Sequence, residues 1–289
     1  MPAYFRPRTL EEALEIRASR PVTILAGGTD VYPARTARVG WGDMSQSDIL
    51  DISAIASLRA IATTETHYRF GSLVTWTALK RASLPAAFAG CQAAAVEIGG
   101  AQIQNRGTLV GNICTASPAG DGIPCLLTLD AEIELASLRG ARTVPISEFV
   151  DGYRHNVCGP DEIVTAILIP NPLPRARGNF IKLGARRYLV ISIAMAAGLV
   201  AAREDGTIEQ ARIAIGACTP VAQRLPALEA VLVGRTLAEA PECVSDTDLA
   251  ELTPIDDIRA SGAFRRSAAL QIVSDLLSTF SQDSRRSAA

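Results

Sequence analysis

The sequence predicts an α+β protein of two domains, and three observations carry that expectation. Runs of β-branched residues are interspersed with helical periodicities along the whole chain. A proline triplet, Pro170, Pro172 and Pro174, breaks the pattern past the midpoint. The length of 289 residues with 48% apolar content suffices for two cores.

Thr9 followed by Glu12 has capping-box spacing and opens a helix through about Ala18. Val22–Leu25 is a short strand that empties into Ala26-Gly27-Gly28-Thr29-Asp30. Residues 35–47 read as a surface loop. Asp48–Ile52 and His67–Leu73 are strands, Thr75 opens a helix to about Ala82, and alanine-rich Pro85–Ile98 is a helix packed closely on a sheet. Gly99–Asn112 has no clean period. Ser117 suits an N-cap and Pro118 the first turn of the helix that carries Leu126, Leu127 and Leu129. Ala131–Ala136 and Thr143–Ile146 pair around Gly140, and Glu162–Ile169 is an apolar strand. Past the prolines, Phe180–Leu183, Ile191–Ala202 and Thr207–Ile215 read as strands, with Asp205-Gly206 as a hairpin turn. Pro226–Leu232 and Ser267–Phe280 are helices, and the polar tail 281–289 is expected to fray.

Charge and composition exclude several functions. With 28 basic and 30 acidic residues the formal net charge is -2, which leaves no footprint for nucleic acid or an anionic membrane. The six cysteines include no CxxC pair and there are only two histidines, so no metal or cluster site is expected on this chain. The most apolar run, Tyr188–Ala202, is shorter than the roughly 20 residues of a spanning helix. The expected location is cytoplasmic.

Chemistry concentrates in Gly99–Asp121, which reads GGAQIQNRGTLVGNICTASPAGD and holds five glycines. Glycine costs backbone entropy, so the cluster implies tight turns or close approach of the backbone to a bulky partner. Ala26–Asp30 repeats the theme, and a strand ending in such a turn aims several N–H groups in one direction, as anion-binding nests do. An ordinary glycine turn with Asp30 as a cap is the plainer alternative there, and helix-dipole pairing is the plainer role for Asp121. No GxSxG elbow, Walker loop or GxGxxG fingerprint is present. Two phosphate-ready loops with few reactive side chains suit a protein whose cofactor supplies the chemistry.

The segments Ile24-Leu25-Ala26-Gly27-Gly28-Thr29-Asp30-Val31 and Gly107–Pro118, GTLVGNICTASP, resemble the FAD-binding segments of the xanthine dehydrogenase family. More narrowly, the chain resembles the separate FAD-binding medium subunit of bacterial molybdenum hydroxylases. Pro254–Ser261 and Phe264-Arg265-Arg266 resemble that family's C-terminal domain. The resemblance implies a two-lobed FAD-binding domain of the PCMH type over residues 1–173. An antiparallel-sheet-plus-helices domain would follow over 176–285, with FAD lying extended between the two lobes and against that C-terminal domain.

Position by position, the resemblance implies that Ile24, Leu25, Ala26, Gly27, Gly28, Thr29, Asp30 and Val31 wrap the pyrophosphate. Thr108, Leu109, Val110, Gly111 and Asn112 supply the second phosphate-side loop, and Thr115 adds a hydroxyl. Asp121 accepts from ribose or adenine-side hydroxyls. Ile98 packs on the adenine and Val164 on the cofactor. Lys182 lies at the flavin pyrimidine edge and Ile191 at the isoalloxazine face. Relatives often place an aspartate between the positions of Arg187 and Ile191; here Tyr188-Leu189-Val190 forms an apolar shield instead. The four-cysteine insertion of some relatives has no counterpart. The implied function is electron transfer from a [2Fe-2S] small subunit to FAD and on to NAD or another acceptor. Substrate would react at molybdopterin on a large subunit, within a dimer of heterotrimers. The alternative is a self-contained flavin oxidase, with Tyr153 or Tyr188 as its base.

Overall fold

The computed structural model describes residues 2–33 and 47–288, so the predicted loop 35–47 falls almost wholly outside the described residues. The first lobe is a three-stranded parallel sheet of β1 (Tyr4–Phe5), β2 (Thr23–Leu25) and β3 (Ile49–Asp51), in the order β1-β3-β2. The helix Leu10–Ser19 connects its first two strands, capped by Thr9 Oγ1, which accepts from the Glu12 N–H at 3.2 Å. Ala13 and Leu14 from this helix pack with Val22, Leu50 and Ile52.

The second lobe holds β4 (Ile61–Thr63), β5 (His67–Gly71), β6 (Glu132–Ser137) and β7 (Gly140–Pro145). A two-stranded ribbon, β8 (Val150–Gly152) and β9 (His155–Asn156), leads into β10 (Ile163–Pro170), which is central in the five-stranded order β4-β5-β10-β6-β7. A bulge interrupts the pairing of β10 with β6 between Val164 and Ala166. Bulges bend a strand and re-aim its side chains.

Gly99–Asp121, which has no clean period, folds as two short helices, Ala101–Gln104 and Leu109–Thr115, between turns. The following helix begins at Gly122, not at Pro118. Ser117 still acts as a cap, but of a turn: its hydroxyl accepts from the Ala119 N–H at 3.3 Å, and its carbonyl from the Gly120 N–H at 2.9 Å. Asp121 itself precedes the helix with no side-chain cap bond.

Beyond the prolines, β11 (Ala176–Leu183), β12 (Ala194–Ala202), β13 (Ile208–Gly216) and β14 (Gln223–Arg224) form an antiparallel sheet in that order. β12 explains the long apolar run. Met195, Ala197, Leu199 and Ala201 join the core of the five-stranded lobe, whereas Ala194, Ala196 and Val200 join the core under the last helix. A strand buried on both faces loses the polar alternation of a half-exposed one. The proline segment thus divides the strands without dividing the interior. The last helix runs Gly262–Ala288, earlier and later than its apolar stripe indicates, and the tail continues as helix. Among the described residues no helix is long and apolar enough to cross a membrane.

Candidate functional site

A cleft of about 1230 Å³ opens where the two lobes and the C-terminal sheet meet. It exceeds the roughly 300–1,000 Å³ typical of small-ligand pockets. The two glycine segments converge on it. A Cβ on Gly27 would sit 2.0 Å from the Arg106 carbonyl oxygen, so the loops touch backbone to backbone there. Thr115 Oγ1 donates to Asp30 Oδ2 at 3.1 Å and ties them a second time. Among the described residues no main-chain acceptor takes the N–H groups of Gly27, Gly28 or Thr29. Those amides remain for a ligand.

The expected site residues line the cleft, apart from Leu25 and Leu109. These two are 7% and 1% exposed and belong to the packing behind the loops. Ile24, Ala26, Gly27, Gly28, Thr29, Asp30 and Val31 form one wall; Thr108, Val110, Gly111, Asn112 and Thr115 form the facing one. Several polar groups on the facing wall are already occupied. Thr108 Oγ1 accepts from the Gly111 N–H at 2.9 Å, and Asn112 Oδ1 from the Gly122 N–H at 3.2 Å. The Thr115 hydroxyl donates to Asp30 instead of projecting free toward a phosphate. Ile98 and Val164 line the cleft as apolar surface. Cys114 and Cys158 also line it; burial pushes their thiols up to about 12 and about 11, so both stay protonated.

The C-terminal domain contributes Lys182 and Ile191. Lys182 Nζ lies 2.8 Å from Asp121 Oδ2, and the Ser192 hydroxyl donates to Asp121 Oδ1 at 2.6 Å. The resemblance placed Asp121 at the adenine side and Lys182 at the flavin edge. The ion pair brings these two side chains together. Lys182, Ser192 and Ile191 all come from the C-terminal domain and line the cleft together with Asp121.

Ser192, Ser72 and Arg265 are cleft residues without a role in the sequence reading. Ser192 is 1% exposed inside an otherwise apolar stretch, and a polar residue in such a run was the available signal. The Arg265 guanidinium holds three points together. It donates to the Ile193 carbonyl at 2.6 Å, the Ala217 carbonyl at 3.0 Å and Asp257 Oδ1 at 2.7 Å. Its Nε and the Ser72 hydroxyl are buried without partners. Buried polar atoms are nearly always paired, so these orphans fit a cleft that is completed by a polar ligand. Of the two tyrosines considered as a base, Tyr153 lies at the rim, 67% exposed, and Tyr188 is 57% exposed and off the lining. The Arg187 guanidinium lies over the Tyr188 ring, 5.3 Å from its centroid.

Comparison with known proteins agrees with this geometry. Residues 1–172 match the family described as the FAD binding domain in molybdopterin dehydrogenase, and residues 179–280 match the CO dehydrogenase flavoprotein C-terminal domain. The chain is 35% identical over 201 residues to the nicotinate dehydrogenase FAD-subunit of Eubacterium barkeri, covering 66% of this chain and 65% of that relative. It is 30% identical over 274 residues to the nicotine 6-hydroxylase medium subunit of Paenarthrobacter nicotinovorans, covering 93% and 94%. Among solved structures, quinoline 2-oxidoreductase from Pseudomonas putida 86 superposes with a TM-score of 0.86 at 25% identity over 98% of each chain. The touching glycine loops, the two-lobed cleft and the matched domains together show that this chain belongs to the FAD-binding medium subunits of the molybdenum hydroxylase family.

Proposed function

We propose that this chain binds FAD in the cleft, takes electrons from a [2Fe-2S] partner subunit and delivers them to an external acceptor, NAD or another. Substrate would be oxidised at a molybdopterin subunit, in a cytoplasmic assembly built as a dimer of heterotrimers. The observation that carries the reading is the meeting of Gly27 with Arg106. Two loops in main-chain contact leave the Gly27, Gly28 and Thr29 amides to hold a diphosphate.

FAD, when bound, would supply the electron-transfer chemistry. This chain's residues then have positioning tasks. Ile98 and Val164 shield an apolar end of the ligand. Lys182 presents a cation at the end closed by the C-terminal domain, where negative charge gathers on reduction. Asp121 and Ser192 fix that cation, and Ile191 covers the ring face. Tyr188 and Leu189 are 57% and 55% exposed near this end, so an arriving acceptor meets apolar surface in place of a carboxylate.

The test is the visible spectrum of the purified full chain, before and after adding FAD. A bound flavin spectrum with Lys182-dependent reduction by the iron–sulfur partner is expected. A chain that stays colourless with excess FAD defeats the reading.

A further inference from the structure

A second concavity of about 350 Å³ shares Ala26, Gly27 and Thr108 with the cofactor cleft, so the Ala26–Gly27 loop is the partition between them. The remaining lining is strongly cationic. It includes three arginines, Arg6, Arg59 and Arg106, against one acidic residue, Asp51. That carboxylate is already engaged. It accepts from the Tyr4 hydroxyl at 2.6 Å and from the Ser53 N–H at 2.9 Å, and it faces Arg6 Nε at 3.2 Å.

Donors in the pocket outnumber its acceptors. Arg59 donates to the Ser53 carbonyl with one nitrogen and keeps its others. Asn105 spends its oxygen on the Thr77 hydroxyl at 2.7 Å, which leaves its amide N–H groups for the pocket. Arg106 makes no ion pair among the described residues. The excess positive charge repels a cation, and the walls offer little apolar surface beyond Tyr4, Leu73 and Ala26 to an uncharged ligand.

We propose that this pocket binds a small, multiply charged oxyanion of the phosphate class, and that its occupancy is coupled to the grip on the cofactor. Guanidinium groups match such oxyanions with paired N–H donors. The coupling runs through Arg106. Its carbonyl braces Gly27 on the cofactor wall, and the same residue lines the second pocket. An anion that draws in the guanidinium acts on the residue that sets the loop. Linkage makes the effect reciprocal, so FAD changes anion affinity by the same factor.

The test uses inorganic pyrophosphate and the full chain. Pyrophosphate is titrated calorimetrically into FAD-saturated protein at constant ionic strength, so that the cofactor cleft is filled. One equivalent is expected to bind. Arg59→Gln should weaken it roughly tenfold or more while melting temperature and flavin spectrum stay unchanged, and Arg106→Gln should weaken it likewise. In the parent chain pyrophosphate should shift FAD affinity about fivefold or more, and in the variants it should not. Binding that disappears on FAD saturation, or that both variants leave intact, overturns the proposal. A weakening of FAD binding that persists in the variants means competition in the cleft and overturns the coupling. Should the chain take up no FAD, the functional reading fails by itself. The two variants still report on the pocket in the flavin-free chain.

Discussion

Lys182 and Asp121 form a buried ion pair across the joint between the two domains, with Nζ 2.8 Å from Oδ2 and each side chain 6% exposed. Removing one partner of such a pair strands a charge and costs about 3–5 kcal/mol, whereas replacing both can be nearly neutral. Asp121→Asn and Lys182→Met should therefore each lower the denaturant midpoint strongly, and the double variant should recover much of the loss. Equilibrium unfolding of the four proteins measures the coupling. Additive losses would mean that the pair does not act as a unit.

Gly27 offers a sharper probe of the cofactor site. Its Cβ would lie 2.0 Å from the Arg106 oxygen, so alanine must push the two loops apart. The strain of such overpacking is about 1–3 kcal/mol, and FAD affinity should fall about tenfold or more, since each tenfold costs only about 1.4 kcal/mol. Gly152→Ala is the control, because its nearest neighbour would be His155 Cβ at an ordinary 3.5 Å. Fluorescence titration with FAD separates the two. Equal affinities would show that loop contact is irrelevant to binding.

The same residues show what was legible from sequence. Both glycine loops, the strand ending at Leu25 and the strand around Val164 carry local signals, and the cleft is lined where those signals fall. What stayed hidden depends on partners distant in the chain. Asp121 meets Lys182 and Ser192 across 61 and 71 residues, so no local pattern announced that they meet. Ser117 and Pro118 have the composition of a helix start, but the chain spends them on a turn, and Asp121 gains its place from that turn. The parallel order β1-β3-β2 is non-local in the same way. β12 reads as a buried strand; that its two faces serve two cores emerges only from packing.

Gly178 tests whether the two domains work as one body. Its Cβ would lie 2.3 Å from the Ala87 carbonyl oxygen, so β11 approaches the segment before the helix Ala89–Glu97 more closely than any side chain permits. β11 also carries Lys182. Gly178→Ala should destabilise by about 1–3 kcal/mol, speed protease cleavage in the linker 171–175, and weaken FAD binding although Gly178 does not line the cleft. Unchanged proteolysis and flavin affinity would show that the seam tolerates movement.

Glu162 predicts a pH dependence. Its carboxylate accepts from Arg142 Nε at 2.6 Å, from Arg142 Nη2 at 2.7 Å and from the Gly159 N–H at 2.7 Å. The Arg142 guanidinium and the Gly159 N–H hold its pKa below the ordinary value, against the opposing pull of burial. A carboxylate depressed in the folded state stabilises fully above its unfolded pKa, about 4.3, and loses that contribution as pH falls through the folded value. Glu162→Gln should therefore cost stability at neutral pH, about 1.5–3 kcal/mol for a hydrogen-bonded charge. The difference from the parent should shrink steadily as pH drops below about 4.3. Urea midpoints across that range give the sign. A gap that widens on acidification would mean that Glu162 is protonated in the native protein and that the Arg142 pairing is not what anchors the loop beside Cys158.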